Sequence, residues 1–260
     1  MDYKLLLFDL DGTLLRSDRT LSEYTLLVLN MCRNKGLMIG VSTARSEQNS
    51  MIFLSELLPD ISISSGGALI KRNGEYIYKA EIIVDETNYM IKKAREVCGI
   101  ACEITIDTVE NHYWNYKIDP KKEDKSWGDS IYTDFEDFSQ SSLKMCVEIF
   151  DSNKAETLKN ILSDYDCIRF SDGCWYKFTQ KEATKEKAIK ELCTTCDITL
   201  DEIIAFGDDF SDIGMLKLCG KGIAMENAIE EVKSIADEVI GSNDNDGIAK
   251  YLIKALNLQL

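Results

Sequence analysis

The chain has 260 residues, of which 45% are hydrophobic and 29% are charged, a composition typical of a folded globular protein with a sizeable core. Its 45 acidic residues outnumber 30 basic ones, and the formal net charge of −15 argues against nucleic acid and anionic membranes as partners, but not against a small anionic substrate held by a few local cations. The nine cysteines are scattered and the first residues lack the order of a signal peptide, so we expect free thiols in a cytoplasmic protein. No apolar run approaches the ~20 residues that span a bilayer, so we expect no membrane partner.

The first part of the chain alternates strand and helix patterns. Residues 3–10 have a continuously apolar centre, which is typical of a parallel strand covered on both faces. A capping box at 20–23, beginning with a threonine, is expected to open a helix. A second strand at 37–41, a helix at 47–58 and a third strand at 61–64 follow. This alternation predicts a parallel sheet wound with helices.

The middle of the chain has a different pattern. Asn73-Gly74 between two apolar runs predicts a tight hairpin. The residues that follow have several strand patterns and two helix patterns, at 85–97 and 154–162, which indicates an antiparallel sheet with two helices.

From Lys185 onward the helix and strand alternation returns. We therefore predict an α/β fold, with a Rossmann-like doubly wound parallel sheet as its core, residues 1–82 and 179–260. An α+β cap domain, residues 83–178, is predicted to be inserted into this core. Within the cap, 19 Asp and Glu outnumber 12 Lys and Arg, so any selectivity for an anionic substrate must come from a few placed groups.

Polar side chains follow three of the predicted strands at their ends. They are Asp9 and Asp11 after the first strand, Thr43 and Arg45 after the second, and Asp208, Asp209 and Asp212 after a late strand. Ligands of open parallel sheets bind outside the carboxyl ends of the strands, so these groups and Lys185 should converge on one crevice. Clustered carboxylates favour a divalent cation, and an all-oxygen ligand set suits Mg²⁺. A cation beside a lysine can bind phosphate, while one carboxylate attacks phosphorus and a second transfers a proton.

Four segments, in order along the chain, resemble the motifs of the haloacid dehalogenase superfamily of phosphatases. They are Asp9-Leu10-Asp11-Gly12-Thr13-Leu14, Thr43, Ala183-Thr184-Lys185-Glu186-Lys187-Ala188-Ile189 and Gly207-Asp208-Asp209-Phe210-Ser211-Asp212. Residues 222–228 and 245–248 are similar to the C-terminal stretch of the Cof-type branch, which carries an α/β cap between its second and third motifs. This chain has its inserted domain in the same place, and the resemblance spans the whole length.

The resemblance implies a role for each matching residue. Asp9 would be the nucleophile that forms an aspartyl-phosphate, and Asp11 would be the general acid and base. Thr43 would hold the phosphoryl oxygens, and Lys185 would neutralise charge between Asp9 and the phosphate. The implied Mg²⁺ ligands are Asp9, the backbone carbonyl of Asp11, Asp208 and, directly or through one water, Asp212.

The sequence departs from the branch at three positions. Ala44 stands where Gly is usual, Gly66 where Asn is common, and Ser211 where an Asn helps to bind the phosphate. Ser keeps a hydrogen-bond donor with a shorter reach, so Ser211 is expected to bind phosphate with altered contacts. Arg45 is either a substrate contact or a surface residue that pairs with an acid, and His112 is expected to pack within the cap.

The expected function is Mg²⁺-dependent hydrolysis of a small phosphorylated metabolite, such as a sugar phosphate, or of a phosphorylated cofactor, such as pyridoxal phosphate or flavin mononucleotide. Two alternatives stay open. The aspartyl-phosphate could pass to a sugar hydroxyl, as in a mutase, if the cap excludes water. The fold could also bind a phosphorylated metabolite without catalysis. The sequence does not indicate an oligomeric state.

Overall fold

A computed structural model describes residues 3–116, 130–170, 173–181 and 183–259. Its strands, in chain order, are β1 (Leu5–Phe8), β2 (Met38–Ser42), β3 (Ile61–Ser64), β4 (Leu69–Arg72), β5 (Glu75–Lys79), β6 (Ile104–Asp107), β7 (His112–Trp114), β8 (Ile131–Tyr132), β9 (Lys144–Glu148), β10 (Tyr165–Arg169), β11 (Trp175–Gln180), β12 (Ile203–Gly207), β13 (Lys221–Met225) and β14 (Glu238–Ile240). Its helices are α1 (Glu23–Asn34), α2 (Glu47–Leu57), α3 (Val84–Cys98), α4 (Ser152–Ile161), α5 (Lys185–Cys196), α6 (Ile213–Leu218), α7 (Glu230–Lys233) and α8 (Gly247–Ala255). None of the helices in these ranges is long and apolar enough to cross a bilayer.

The larger sheet has eight strands in the order β14-β13-β12-β1-β2-β3-β4-β5. The first six are parallel, and β4 and β5 extend the sheet as an antiparallel hairpin. The four residues of β1 are fully buried, as expected for a central strand covered on both faces. This confirms the predicted α/β fold with a parallel core sheet. Because β1 lies between β12 and β2, the end of β1 is flanked by the ends of both neighbours.

The smaller sheet has six strands in the order β10-β11-β9-β6-β7-β8. Apolar residues of one face pack with α3 and α4 in a separate hydrophobic cluster that includes Ile104, Ile106, Met145, Val147 and Phe178. Residues that alternate with these point to the opposite face. That face, the polar face of the cap, is buried and carries Thr105, Asp107, Lys144, Cys146, Lys177 and Thr179.

The polar face of the cap contacts the core at two loops. The Ser65 hydroxyl, just after β3, donates to Asp107 Oδ2 at 3.1 Å. Lys144 Nζ donates to the carbonyl of Ala44, just after β2, at 2.9 Å. These contacts place the polar face over the carboxyl edge of the core sheet.

The structure differs from the predicted elements in a few local details. The N-cap residue of helix α1 is Ser22 and not Thr20. The Ser22 hydroxyl accepts a hydrogen bond from Thr25 N at 3.4 Å. The prediction of Thr20 was wrong because its hydroxyl donates to Asp18 Oδ1 at 2.6 Å. The helix α7 and the strand β8 were not predicted, since elements this short carry no hydrophobic period. β11 ends at Gln180, just beyond the predicted cap boundary at 178/179.

Candidate active site

Asp9 lies at the carboxyl end of β1, at the start of a wide turn over residues 10–14. Its backbone N–H donates to the carbonyl of Phe206 in β12 at 3.0 Å, which ties the turn to the neighbouring strand. Gly12 has φ +78°, and a Cβ at this position would overlap the Asp208 carboxylate. Glycine therefore allows the turn to approach the end of β12 closely.

Lys185 links two of the carboxylates. Its Nζ lies 2.6 Å from Asp9 Oδ1 and 2.6 Å from Asp212 Oδ1. Thr184 caps α5 by accepting from Lys187 N at 3.2 Å, which places Lys185 at the first position of the helix. Burial alone would lower the pKa of Lys185, but the Asp212 and Asp9 carboxylates outweigh it and raise that pKa. Lys185 therefore stays charged in a site where it is only 3% exposed.

Asp208 completes the carboxylate cluster. The Thr13 hydroxyl donates to Asp208 Oδ1 at 2.6 Å. One oxygen from each of Asp9, Asp208 and Asp212 lies within 4.8 Å of the others. Burial, together with the nearby Asp212 carboxylate, raises the pKa of Asp208 to about 7, although the Thr13 hydrogen bond opposes the change. Burial also raises the pKa of Asp9, against the opposing charge of Lys185.

This cluster fits a hard divalent cation. The three carboxylates supply oxygen ligands, which Mg²⁺ prefers, and Lys185 offsets part of their negative charge. Burial first, and then the neighbouring carboxylates, raise the pKa values of Asp9 and Asp208, and a bound cation would offset both effects. Asp11 is the fourth acid of the implied metal site, and its carboxylate does not belong to this cluster.

The Asp11 carboxylate instead pairs with Arg45. Arg45 Nε donates to Asp11 Oδ2 at 2.6 Å, and Nη2 donates to Oδ1 at 2.7 Å. The Arg45 side chain is 4% exposed and lies over the ring of Phe53, while that of Asp11 is 44% exposed. Arg45 is therefore a buried residue that orients Asp11. Of the two alternatives for Arg45, the pairing with an acid is present, but the residue is buried and does not lie at the surface.

The other polar residues near the site have defined local positions. Thr43 is buried at the end of β2, and its hydroxyl accepts from Arg45 N at 3.1 Å. Asp209 caps the next turn by accepting from Phe210 N at 2.8 Å. Ser211 is half-buried within that turn, between Phe210 and Asp212.

Three charged residues of the cap that the sequence patterns did not single out also face the core. Asp107 is fully buried, and its two oxygens lie 2.6 Å from His112 Nδ1 and 2.8 Å from Lys144 Nζ. Burial would raise the pKa of Asp107, but Lys144 and His112 outweigh it and hold that pKa at about 2. His112 therefore has a polar partner within the cap. Lys177 lies on the same face and is also buried.

A signal for these cap residues was present in the sequence. Lys144 and Lys177 alternate with apolar residues in β9 and β11, as expected for strands with one buried apolar face. That alternation does not distinguish a face toward solvent from a face toward a second domain. The position of the cap on the core decides between them.

Comparison with known proteins identifies the family. Residues 6–252 match the haloacid dehalogenase-like hydrolase family. The putative phosphatase YkrA of Bacillus subtilis (strain 168) is 27% identical over 99% of each chain, and the 5-amino-6-(5-phospho-D-ribitylamino)uracil phosphatase YitU of the same strain is 24% identical over 98% of each. The solved structure of the HAD subclass IIB sugar phosphatase BT4131 is similar with a TM-score of 0.82 and 27% identity, covering 98% of this chain and 99% of that one. The chain therefore belongs to the haloacid dehalogenase-like hydrolase family, and it is one of that family's phosphatases.

Proposed function

We propose that the protein is a Mg²⁺-dependent phosphatase that hydrolyses phosphate monoesters of small metabolites through an aspartyl-phosphate, an acyl phosphate formed on Asp9. The observation that carries this proposal is the position of Lys185, whose Nζ lies 2.6 Å from Asp9 Oδ1 and 2.6 Å from Asp212 Oδ1. A buried carboxylate held in one orientation by a cation is suited to attack on phosphorus, because its reacting oxygen is already placed.

In the first step, an Asp9 oxygen attacks phosphorus and the bond from phosphorus to the leaving alcohol oxygen breaks. Asp11, two residues along the same turn, gives a proton to that oxygen, so the product leaves as a neutral alcohol. Lys185 offsets negative charge between Asp9 and the phosphoryl group, and Thr43 hydrogen-bonds the phosphoryl oxygens. The products of this step are the alcohol and the aspartyl-phosphate.

In the second step, Asp11 removes a proton from a water molecule, and the resulting hydroxide attacks the phosphorus of the aspartyl-phosphate. The bond between phosphorus and the Asp9 oxygen breaks, which releases phosphate and restores the Asp9 carboxylate. Asp11 regains the proton that it gave away in the first step, so one residue serves as acid and then as base.

The residues that would hold Mg²⁺ are Asp9, the backbone carbonyl of Asp11, Asp208 and Asp212. The ion supplies positive charge that offsets the charge of the transferring phosphoryl group. Ser211 and Arg45 stay candidates for phosphate contact, with Arg45 acting mainly through its hold on Asp11.

Two observations support the proposed substrate class. The full-length relatives include one that acts on a phosphorylated ribitylaminouracil and one that is a sugar phosphatase. The polar face of the cap lies over the site, so a small phosphate ester can be enclosed between cap and core. We therefore propose a sugar phosphate or a phosphorylated cofactor as substrate, in a protein of the cytoplasm.

The test is phosphate release from a panel of monoesters, including p-nitrophenyl phosphate, sugar phosphates, pyridoxal phosphate and flavin mononucleotide, with and without Mg²⁺. We expect Mg²⁺-dependent turnover by the wild type and a loss of at least about 10³-fold in Asp9→Asn, because an amide is a poor nucleophile. Asp164→Asn, at an exposed cap residue, is the matched control and should keep wild-type turnover. Turnover that survives Asp9→Asn would exclude Asp9 as the nucleophile.

The same assay separates hydrolysis from phosphoryl transfer. An added sugar acceptor should leave the rate of phosphate release unchanged if water is the normal acceptor. Formation of a new sugar phosphate at the expense of free phosphate would instead identify a mutase-type reaction.

A further inference from the structure

The polar face of the cap contains a lysine whose charge is not balanced. Lys177 is 4% exposed, and among the described residues no carboxylate or other acceptor is within hydrogen-bonding distance of its ammonium group. The two other lysines of this region are paired, Lys144 with Asp107 and Lys185 with Asp9 and Asp212. A buried, unpaired ammonium is costly, so its presence calls for an explanation.

Lys177 lies across one core loop from Thr43 and Lys185, two residues proposed to bind phosphate. Its Nζ lies against Gly66, at 2.5 Å from the place a Cβ would take. The N–H of Gly66 donates to the carbonyl of Thr43 at 3.0 Å. The following glycine packs against the carbonyl of Thr184, which directly precedes Lys185. One short loop therefore separates the Lys177 ammonium from the backbone of Thr43 and Lys185.

Gly66 creates the space that Lys177 occupies. A Cβ at this position would lie 2.5 Å from Nζ, so a side chain here would displace the flexible end of Lys177, and the φ of +73° also disfavours most residues other than Gly and Asn. The glycine in this loop therefore allows the lysine on the facing strand to place its ammonium group here.

A second polar group on the same strand also lacks a partner. Thr179 is fully buried, and its hydroxyl has no hydrogen-bond partner among the described residues. It points to the same face as Lys177, because side chains two residues apart in a strand share a face. The buried Thr179 hydroxyl without a partner and the unpaired ammonium of the buried residue Lys177 lie on one face of one strand, which indicates a place where a ligand supplies the acceptors.

We propose that Lys177 is a substrate-binding residue whose ammonium group binds a second anionic group, a carboxylate or a second phosphate, on the leaving-alcohol part of the substrate. This rests on the proposed phosphatase function and narrows its substrate class. A sugar hydroxyl could accept a hydrogen bond from Lys177, but it would leave the buried positive charge unbalanced. Lys185 is already paired with two carboxylates, which leaves Lys177 to balance the second anion.

The experiment compares kcat/KM for pairs of monoesters that differ in the second anion. Glycerol 3-phosphate is paired with 3-phosphoglycerate, and fructose 6-phosphate with fructose 1,6-bisphosphate, so a carboxylate and a phosphate are tested separately. We expect the wild type to prefer the doubly anionic member of at least one pair by about tenfold or more. Lys177→Met should lower that preference by about 10- to 100-fold, the range for loss of a charge-assisted hydrogen bond.

Three further variants complete the comparison. Gly66→Asn should displace the ammonium and lower the same preference, and combining it with Lys177→Met should add little, since both changes act on one contact. Lys159→Met, at an exposed lysine of α4 beyond the opposite face of the cap sheet, is the matched control and should keep the wild-type preference.

Two results would overturn the proposal while leaving the phosphatase function intact. One is Asp9-dependent hydrolysis with no preference for a second anion, and the other is a preference that Lys177→Met does not change. If no monoester is hydrolysed, the proposed function itself fails. The same pairs are then titrated by calorimetry into wild type and Lys177→Met, and equal affinities would overturn the role of Lys177.

Discussion

Arg45 holds the carboxylate of Asp11 with two parallel hydrogen bonds, from Nε to Oδ2 at 2.6 Å and from Nη2 to Oδ1 at 2.7 Å. The planar guanidinium matches the planar carboxylate, so the pair fixes both the position and the orientation of Asp11. Asp11 is the proposed proton donor and acceptor, and its side chain is 44% exposed. The partner that orients it is buried, which makes Arg45 a rigid support for a residue that faces the substrate.

Arg45→Ala is expected to lower kcat by about 10- to 100-fold, because a displaced proton donor misses the leaving oxygen. Arg45→Lys should recover little, since an ammonium cannot form the two parallel bonds. Steady-state kinetics with p-nitrophenyl phosphate provide the measurement, with Arg169→Ala at an exposed cap arginine as the matched control. Full activity in Arg45→Lys would show that the charge alone suffices.

Mg²⁺ is expected to stabilise the folded protein, because the carboxylate cluster exists only in the folded state. For a Kd of about 1 mM, 10 mM Mg²⁺ adds about 1.4 kcal/mol to the free energy of unfolding. Asp208→Asn should remove most of this increment, while Asp164→Asn should keep it. Chemical denaturation with and without Mg²⁺ measures the increment directly, and a wild type that gains no stability from Mg²⁺ would contradict the proposed site.

Asp107 is expected to stabilise the protein above pH 4 and to lose that effect in acid. Its pKa is held at about 2 in the folded state, below the ordinary 3.8, by Lys144 and His112 against the effect of burial. The folded state therefore binds this proton less tightly, so the stabilisation is complete above pH 3.8 and is lost as pH falls toward 2.

Asp107→Asn should accordingly lower the free energy of unfolding at pH 7 by about 2 to 4 kcal/mol, because it also leaves Lys144 buried without a counter-charge. The difference in free energy of unfolding between this variant and the wild type should narrow between pH 4 and pH 2. Denaturant titrations across this range test the trend, with Asp164→Asn as the exposed control. A gap that stays constant with pH would assign the loss to packing alone.

Lys177 is expected to destabilise the protein at neutral pH, as a binding residue without its ligand would. Burial, together with the charges of Lys144 and Lys185, lowers its pKa to about 8, against the weaker opposing effects of Cys146 and Asp166. Below pH 8 the folded state therefore carries an unfavourable charge. Stability rises with pH between about 8 and 10.5, where the unfolded state still holds the proton.

Lys177→Met should thus increase the free energy of unfolding at pH 7 by about 1 to 3 kcal/mol, and the gain should disappear as pH approaches 10.5. Denaturant titrations at pH 7, 8, 9 and 10 measure it, with Lys159→Met as the control. A lysine with a purely structural role would give a loss of stability at pH 7.

Much of the fold could be predicted from the sequence because its signals are local. The apolar run in β1 reflects burial on both faces, and Asn73-Gly74 takes the positive φ angles of a tight hairpin turn between β4 and β5. The polar residues after the strands also predicted that Asp9 and Asp208 lie at strand ends, and the parallel pairing of β1 with β12 makes those ends adjacent. Errors of one or two residues arose where neighbouring side chains compete, as Asp18 does for the hydroxyl of Thr20.

The pairings within the site were decided by the tertiary structure. Arg45 and Asp11 are 34 residues apart, and nothing in either segment distinguishes a phosphate contact from an ion pair. The unpaired charge of Lys177 depends on a glycine in the core loop and on the placement of the cap over it. The sequence by itself determined the strands of the core and the acids at their ends, because hydrophobic period and turn chemistry act over a few residues. The balance of charge at the site was decided by packing, because it depends on which buried groups meet across two domains.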